Sequence, residues 1–169
     1  NKEVPLGEIG EVCVRSPSNT AGYWQLPDAT RETIDEDGWL HTGDAAIMDA
    51  DGYIYIQDRI KDMIISGGEN VYPAEVENAI FGHPAIAEVA VIGVPSEQWG
   101  EEVKACVVCK PGHEVEAGDI IAYARERVAA FKAPKSVDVI PEMPRNPSGK
   151  ILRRELREPY WAGQDRQVS

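Results

Sequence analysis

Three short stretches hold residues able to do chemistry. Asn146-Pro147-Ser148-Gly149-Lys150 sets a lysine on a glycine hinge at the end of a constrained loop, just before a basic run. Such an ammonium is either a delivered cation or a solvated loop charge. Gly38-Trp39-Leu40-His41-Thr42-Gly43-Asp44 places a lone carboxylate after a glycine at a strand end, open to a ligand role or to that of an exposed turn aspartate. Ser66-Gly67-Gly68-Glu69-Asn70 removes two side chains between a strand and a helix, so backbone can approach a ligand closely or simply turn tightly. It is neither a Walker loop nor a dinucleotide fingerprint.

Metal and redox chemistry find little support. Cys106-Val107-Val108-Cys109 spells CxxC, but it sits in an apolar run of strand character. Residues three apart on a strand point to opposite faces, so buried structural thiols are expected rather than a disulfide. His41, His83 and His113 have no metal-ligand spacing and no Cys partner, so zinc and other metal ligands are not assigned. Asp35-Glu36-Asp37 fits a solvated loop.

The elements that must position these residues fall into two textures. Glu8 to Arg15 alternates as a strand, Pro17 to Pro27 is turn-rich, and Trp39 to Asp44, Ala45 to Met48 and Tyr53 to Ile56 continue as strands, with Asp51-Gly52 as a hairpin turn. Strands without a helix of useful length make a poor independent core, so residues 1–58 are expected to finish a sheet of a larger domain. From Arg59 the pattern is mixed: strand Met63 to Ser66, helix Pro73 to Phe81, strands Ala87 to Val94 and Glu102 to Lys110, helix Ala117 to Phe131, strand Ser136 to Ile140, and a short helix Ile151 to Arg157. Ile120, Ala124, Val128 and Phe131 at helical spacing are expected to face inward. Proline at position 73 suits a first helical turn. The expected fold class is α+β: a small mixed domain, a short sheet with helices, preceded by the last β-strands of a larger N-terminal domain.

At 169 residues, 43% apolar and 27% charged, the chain is composed for a packed core, which excludes collagen-like and wholly disordered classes. The net charge of −12 disfavours general nucleic-acid binding. The charge is uneven, −9 up to Asp58 and +4 from Lys132 to Arg157, where a small polyanion could dock. Three cysteines, no secretory signal and no apolar run near the ~18 residues of a membrane span point to a cytoplasmic setting, compatible with peripheral membrane association.

Taken in order, GWLHTGD, Asp58-Arg59-Ile60-Lys61-Asp62, IISGGENVYPAEVE and PRNPSGKILRREL resemble the late core motifs of the adenylate-forming superfamily, which holds acyl-CoA synthetases, peptide-synthetase adenylation domains and beetle luciferases. The likeness covers nearly the whole chain and is nearest to bacterial fatty-acid–CoA ligases. It implies that residues 1–58 end the large nucleotide-binding domain and that 59–169 form the mobile C-terminal lid domain. The family's phosphate loop and adenine-binding segment have no match here, so the chain alone is expected to be inactive.

The resemblance also implies roles. Lys150 matches the adenylation lysine, bridging an attacking carboxylate and the α-phosphate of ATP. Asp44 matches the acceptor of the ribose hydroxyls and Arg59 a ribose contact or a structural ion pair. Lys61 falls at the hinge, or is simply an exposed lysine. Gly67 and Gly68 match the loop lining the pantetheine channel; Trp99 packs on pantetheine or in the core. Phe131, Lys132 and Lys135 fall where CoA ligases grip the nucleotide end of CoA, although Ala133 stands where some relatives carry arginine. The implied substrates are a carboxylic acid, foremost a fatty acid, ATP with Mg²⁺ whose ligands are not assigned in this chain, and coenzyme A. The alternatives are an aryl or other carboxylate–CoA ligase, a carrier-protein-loading enzyme, and, in another class, a stand-alone non-catalytic binding module.

Overall fold

The computed structural model describes residues 2–163. The chain divides into two compact units, Asn1–Ile60 and Lys61–Ser169.

The first unit is an antiparallel sheet of β1 (Ile9–Val14), β2 (Leu40–Met48) and β3 (Ile54–Arg59), in that order. The two strand pieces expected between Trp39 and Met48 are one strand, β2, interrupted by a bulge rather than a turn. Asp49 closes the following hairpin by accepting from the backbone N–H groups of Asp51 and Tyr53 with one oxygen. A short helix, α1 (Pro27–Thr33), occupies a stretch whose sequence shows no amphipathic helix. It buries none of its residues, so there was no apolar periodicity to see; Pro27 starts it, and Thr30 bonds back to Leu26 through both N–H and hydroxyl. Ala45 and Ala46 are buried here, whereas Ile54, Tyr55 and Ile56 are exposed.

The second unit is built on a long hairpin, β6 (Ile86–Ser96) against β7 (Gly100–Cys109). β7 also pairs with β4 (Ile64–Ser66) and, in parallel, with β8 (Ser136–Val139). β4 forms its own hairpin with β5 (Glu69–Val71), a strand absent from the sequence reading, which ran 67–72 as a loop. Helices α2 (Pro73–Phe81), α3 (Ala117–Arg125) and α4 (Arg153–Trp161) complete it. The apolar runs of β6 and β7 are nearly continuous because both sheet faces are covered. Val89, Val91, Val103, Ala105 and Val107 pack with Val76 and Ile80 of α2 and Ile120 and Ala124 of α3. Ala90, Ile92, Val94 and Cys106 pack on the other face with Met143, and Leu156 and Tyr160 of α4 lie against them.

Cys106 is therefore a core thiol, which burial pushes up to about 11. Cys109 is half-buried and both cysteines are free. α3 ends at Arg125, six residues before the expected end at Phe131. The chain leaves the helix because Ala133 and Pro134 are drawn into the interior and Lys135 N–H bonds to the Val103 carbonyl, starting β8. That break turns Phe131 outward, to 41% exposure, against the inward orientation that unbroken periodicity predicts. α4 begins two residues late, since Ile151 bridges to Arg145, and ends four residues beyond the expected Arg157. Pro159 sits inside it without a donor N–H; Tyr160, bonded to Asp138, and Trp161, bonded to the Gly93 carbonyl at 3.0 Å, hold the last turn.

Candidate functional site

In the first unit, Asp44 and Arg59 face each other across β2 and β3, with Arg59 Nε 3.1 Å from Asp44 Oδ1. The bulge aims the aspartate. Glu11 registers with Ala45 and Cys13 with His41, so β2 spends four steps where β1 spends two. Thr42 fixes the excess: its hydroxyl donates to the Val12 carbonyl at 2.8 Å and accepts from Asp44 N–H at 3.1 Å. Gly43 takes φ +72° and donates its N–H to Glu11 Oε1 at 3.0 Å. The order Thr-Gly-Asp is thus a locally folded device: a hydroxyl anchor, a left-handed residue and the carboxylate presented beside it. As a half-exposed pair, Asp44 and Arg59 add about 0–1 kcal/mol of stability, so the arrangement is better suited to orienting groups than to holding the sheet.

The same bulge gathers a cluster that sequence reasoning missed. His41 Nδ1 is 2.7 Å from Glu11 Oε2 and 3.5 Å from Cys13 Sγ, and its Nε2 is 3.5 Å from Asp35 Oδ2. The reading that no histidine has a Cys partner is corrected: Cys13 and His41 are directly opposed in the ladder, a pairing 28 residues apart that linear spacing cannot show. Asp35 is likewise no plain solvated loop residue. One of its oxygens accepts from the N–H groups of Asp37 and Trp39, and the other faces the imidazole. The hydrogen bond that the Glu11 carboxylate accepts from the imidazole outweighs burial and raises the His41 pKa. Burial, then the charge of Glu11, raises the Cys13 thiol.

In the second unit, Lys150 ends a loop organised by Asn146. The Asn146 Oδ1 accepts from Ser148 N–H, Ser148 Oγ and Lys150 N–H, all within 3.0 Å. Gly149 supplies φ +83°, its carbonyl accepts from Arg145 at 2.6 Å, and Arg145 pairs with Glu88. The loop is closed at its base by Asn146 N–H to the Lys150 carbonyl. An exposed lysine is thus carried on a rigid stalk. The Asn-x-Ser spelling was a legible sign of this turn.

Lys61 is exposed on a 3-10 turn, Ile60–Asp62. Gly67 and Gly68 are the two central residues of the β4–β5 hairpin, at φ +62° and +86°, as a type I′ turn requires. The structure brings Gly67 and Trp99 together: Gly67 N–H donates to the Trp99 carbonyl at 2.9 Å, and a Cβ on Gly67 would lie 2.8 Å from the indole. Trp99 is 44% exposed, so it is not a core residue. Phe131 is exposed beside Lys132, whose ammonium is 5.7 Å from the ring centre; Lys135 donates to the Ala130 carbonyl.

The +4 stretch does not form one basic surface. Lys132 pairs with Glu75, Arg145 with Glu88, Arg153 with Glu77, and Arg157 with Asp62. The window count overlooked acids supplied from α2, β6 and the 3-10 turn, so no polyanion site follows from that count.

Residues 75–150 match the family described as AMP-binding enzyme C-terminal domain. The chain is 51% identical over 168 residues, 99% of its length, to the fatty acid–[acyl-carrier-protein] ligase ScoC of Streptomyces coeruleorubidus. It is 50% identical over 157 residues, 93% of its length, to a feruloyl-CoA synthase of an Amycolatopsis species. It spans 32% of each of these relatives, about a third of their length. Among solved structures, ATP-bound MatB from Rhodopseudomonas palustris superposes with a TM-score of 0.87 at 40% identity, covering 94% of this chain and 32% of that one. No helix among the described residues is long and apolar enough to cross a membrane.

Proposed function

We propose that this chain, whose residues 75–150 match the AMP-binding enzyme C-terminal domain, works within an ATP-dependent acid–thiol ligase that activates a fatty acid as acyl-AMP and passes the acyl group to CoA. The observation that carries this reading is the Lys150 stalk: an exposed cation on a loop held by three bonds to one Asn146 oxygen. A cation so presented can be delivered as a unit. In the first half-reaction the acid's carboxylate oxygen attacks the α-phosphorus of ATP, the bond to pyrophosphate breaks, and Lys150 neutralises charge on the phosphoryl oxygens and the incoming carboxylate. Mg²⁺ would accompany ATP. Asp44 accepts from the ribose hydroxyls and Arg59 contacts the same sugar.

In the second half-reaction the CoA thiol attacks the acyl carbonyl and AMP departs. Gly67 and Gly68 line the pantetheine path with Trp99 packed on it, while Phe131 meets the adenine and Lys132 and Lys135 the phosphates. The Glu75 partner of Lys132 must then yield to a phosphate. Lys61 serves as the pivot between the two arrangements.

The test is Lys150→Ala in the enzyme with its nucleotide-binding domain. Acyl-AMP formation should fall by several kcal/mol of barrier, while thioester formation from supplied acyl-AMP is spared. Equal loss in both half-reactions refutes the role. A second reading, loading of a carrier protein, is favoured by the 51% identity to the ScoC ligase. NMR titration with CoA and with a phosphopantetheinylated carrier separates the two, since shifts caused by the carrier alone would replace CoA as acceptor.

A further inference from the structure

We propose that Glu11, Cys13 and His41 form a binding site for one Zn²⁺ ion on the β1–β2 ladder. Three donors of three kinds converge there: Cys13 Sγ to His41 Nδ1 is 3.5 Å, Cys13 Sγ to Glu11 Oε2 is 3.9 Å, and Nδ1 to Oε2 is 2.7 Å. Tetrahedral zinc, with Zn–S near ~2.3 Å and Zn–N or Zn–O near ~2.0 Å, sets its ligands roughly 3.3–3.6 Å apart. The Sγ–Nδ1 separation of 3.5 Å already lies within that range. To admit the ion, the hydrogen-bonded Nδ1–Oε2 pair must open by about 0.6 Å and the Sγ–Oε2 pair close by about 0.3 Å.

The donors are fixed by backbone rather than by loop chance. Cys13 and His41 are register partners, and Glu11 is two residues before Cys13, on the same face of β1. A supporting shell is also in place. Glu11 Oε1 is held by Gly43 N–H at 3.0 Å, leaving Oε2 toward the cluster. On the far side of the imidazole, Asp35 Oδ2 is 3.5 Å from Nε2, while its other oxygen is held by the N–H groups of Asp37 and Trp39. A carboxylate behind a metal-binding histidine selects the tautomer that frees the opposite nitrogen for the ion and raises its basicity.

The chemistry of the donors selects the ion. A thiolate with an imidazole and one carboxylate suits a borderline-soft divalent cation and disfavours Mg²⁺ and Ca²⁺, which take oxygen ligands. The ligands are partly exposed, His41 at 24% and Glu11 at 27%, so a water can complete a fourth position. Binding displaces the thiol proton and the proton between His41 Nδ1 and Glu11, the first to solvent and the second to solvent or to Nε2 facing Asp35, and the charges of Glu11, Asp35 and the thiolate then compensate the dication. Because Glu11 also holds Gly43, the ion would stiffen the bulge that presents Asp44.

Cobalt(II) titration of the reduced, tag-free protein with its nucleotide-binding domain attached tests the site independently of any ligase activity. One equivalent should produce a thiolate-to-cobalt charge-transfer band in the near ultraviolet with visible bands of tetrahedral intensity, and one equivalent of Zn²⁺ should bleach them. Cys13→Ser and His41→Gln should abolish the charge-transfer band while circular dichroism stays unchanged, and Cys106→Ala should retain it. A measurement on the unaltered chain guards against misfolded variants: stoichiometric Zn²⁺ should slow iodoacetamide alkylation of Cys13 at least tenfold, read by peptide mapping, and leave Cys109 unchanged. No charge transfer at stoichiometric cobalt, a band that survives Cys13→Ser, or alkylation of Cys13 indifferent to Zn²⁺ overturns the proposal.

Discussion

Asp62 accepts a hydrogen bond from Arg157 Nη1 at 3.0 Å and sits 3.6 Å from Arg153, fastening the turn that carries Lys61 to the helix that follows Lys150. The carboxylate is nearly buried and both guanidinium groups are largely covered. Removing the carboxylate takes an acceptor from two partly desolvated cations at once, Arg153 keeping its bonds to Glu77, and this costs more than a surface pair returns. Asp62→Ala should destabilise the second unit by about 3 kcal/mol in urea unfolding followed by tryptophan fluorescence. A change below about 0.5 kcal/mol would show the network to be ornamental.

The contact of Gly67 with Trp99 predicts a coupled pair. Gly67→Ala meets two penalties, a positive φ and a Cβ 2.8 Å from the indole, together about 1–3 kcal/mol. In a Trp99→Ala background only the backbone penalty remains, about 1 kcal/mol. A double-mutant cycle should return a coupling of at least about 0.5 kcal/mol, and strictly additive losses would separate the two residues energetically. In the proposed ligase the same Gly67→Ala should slow thiol transfer more than adenylation.

Acid stability should report on the trio beneath α4. Asp138 accepts from Lys104 at 2.8 Å and from Tyr160. Burial raises its pKa, but the hydrogen bonds from Lys104 and Tyr160 outweigh burial and hold it below the ordinary carboxylate value. A carboxyl lowered on folding contributes stability that is present above its unfolded pKa, near ~3.9, and is lost as pH falls through its folded value. Unfolding free energy should therefore drop on acidification from about pH 5 to 3 more steeply in the natural sequence than in Asp138→Asn. Parallel slopes would contradict the lowered pKa.

Much of this arrangement was legible before any coordinates. α2 is legible as Pro73 to Phe81 because a proline marks its first turn and Val76 and Ile80 repeat at helical spacing above a core. β6 and β7 declare themselves by valine and isoleucine content. What escaped is what tertiary structure decides. Helical periodicity carries α3 on to Phe131, since nothing local to Val128 or Ala129 announces that Ala133 and Pro134 will be buried. β5 is three residues long and is held by its hairpin rather than by propensity. Glu11, Cys13 and His41 meet only through strand register, and the charges from Lys132 to Arg157 are neutralised by acids far away in sequence. Of the candidate site, the residue types and the Asn146 turn were visible, whereas Glu77 and Asp62, which reach Arg153 and Arg157 from far away in sequence, were not.

Asn146 offers the sharpest test of the Lys150 stalk because it acts through the lysine and not on substrate. Its Oδ1 accepts three donors, one of them Lys150 N–H at 2.9 Å. Asn146→Ala leaves the loop free to sample other paths, so the ammonium is correctly placed for only a fraction of the time, and misplacement of about an ångström can cost on the order of 10²-fold in rate. In the proposed ligase, adenylation should fall ten- to a hundredfold with KM for ATP little changed, and thiol transfer from supplied acyl-AMP should persist. Asn146→Asp keeps the accepting oxygen and should recover most of the rate, whereas a purely structural role would depress both half-reactions and both variants alike. If Asn146→Ala retains full adenylation, the stalk does not position Lys150.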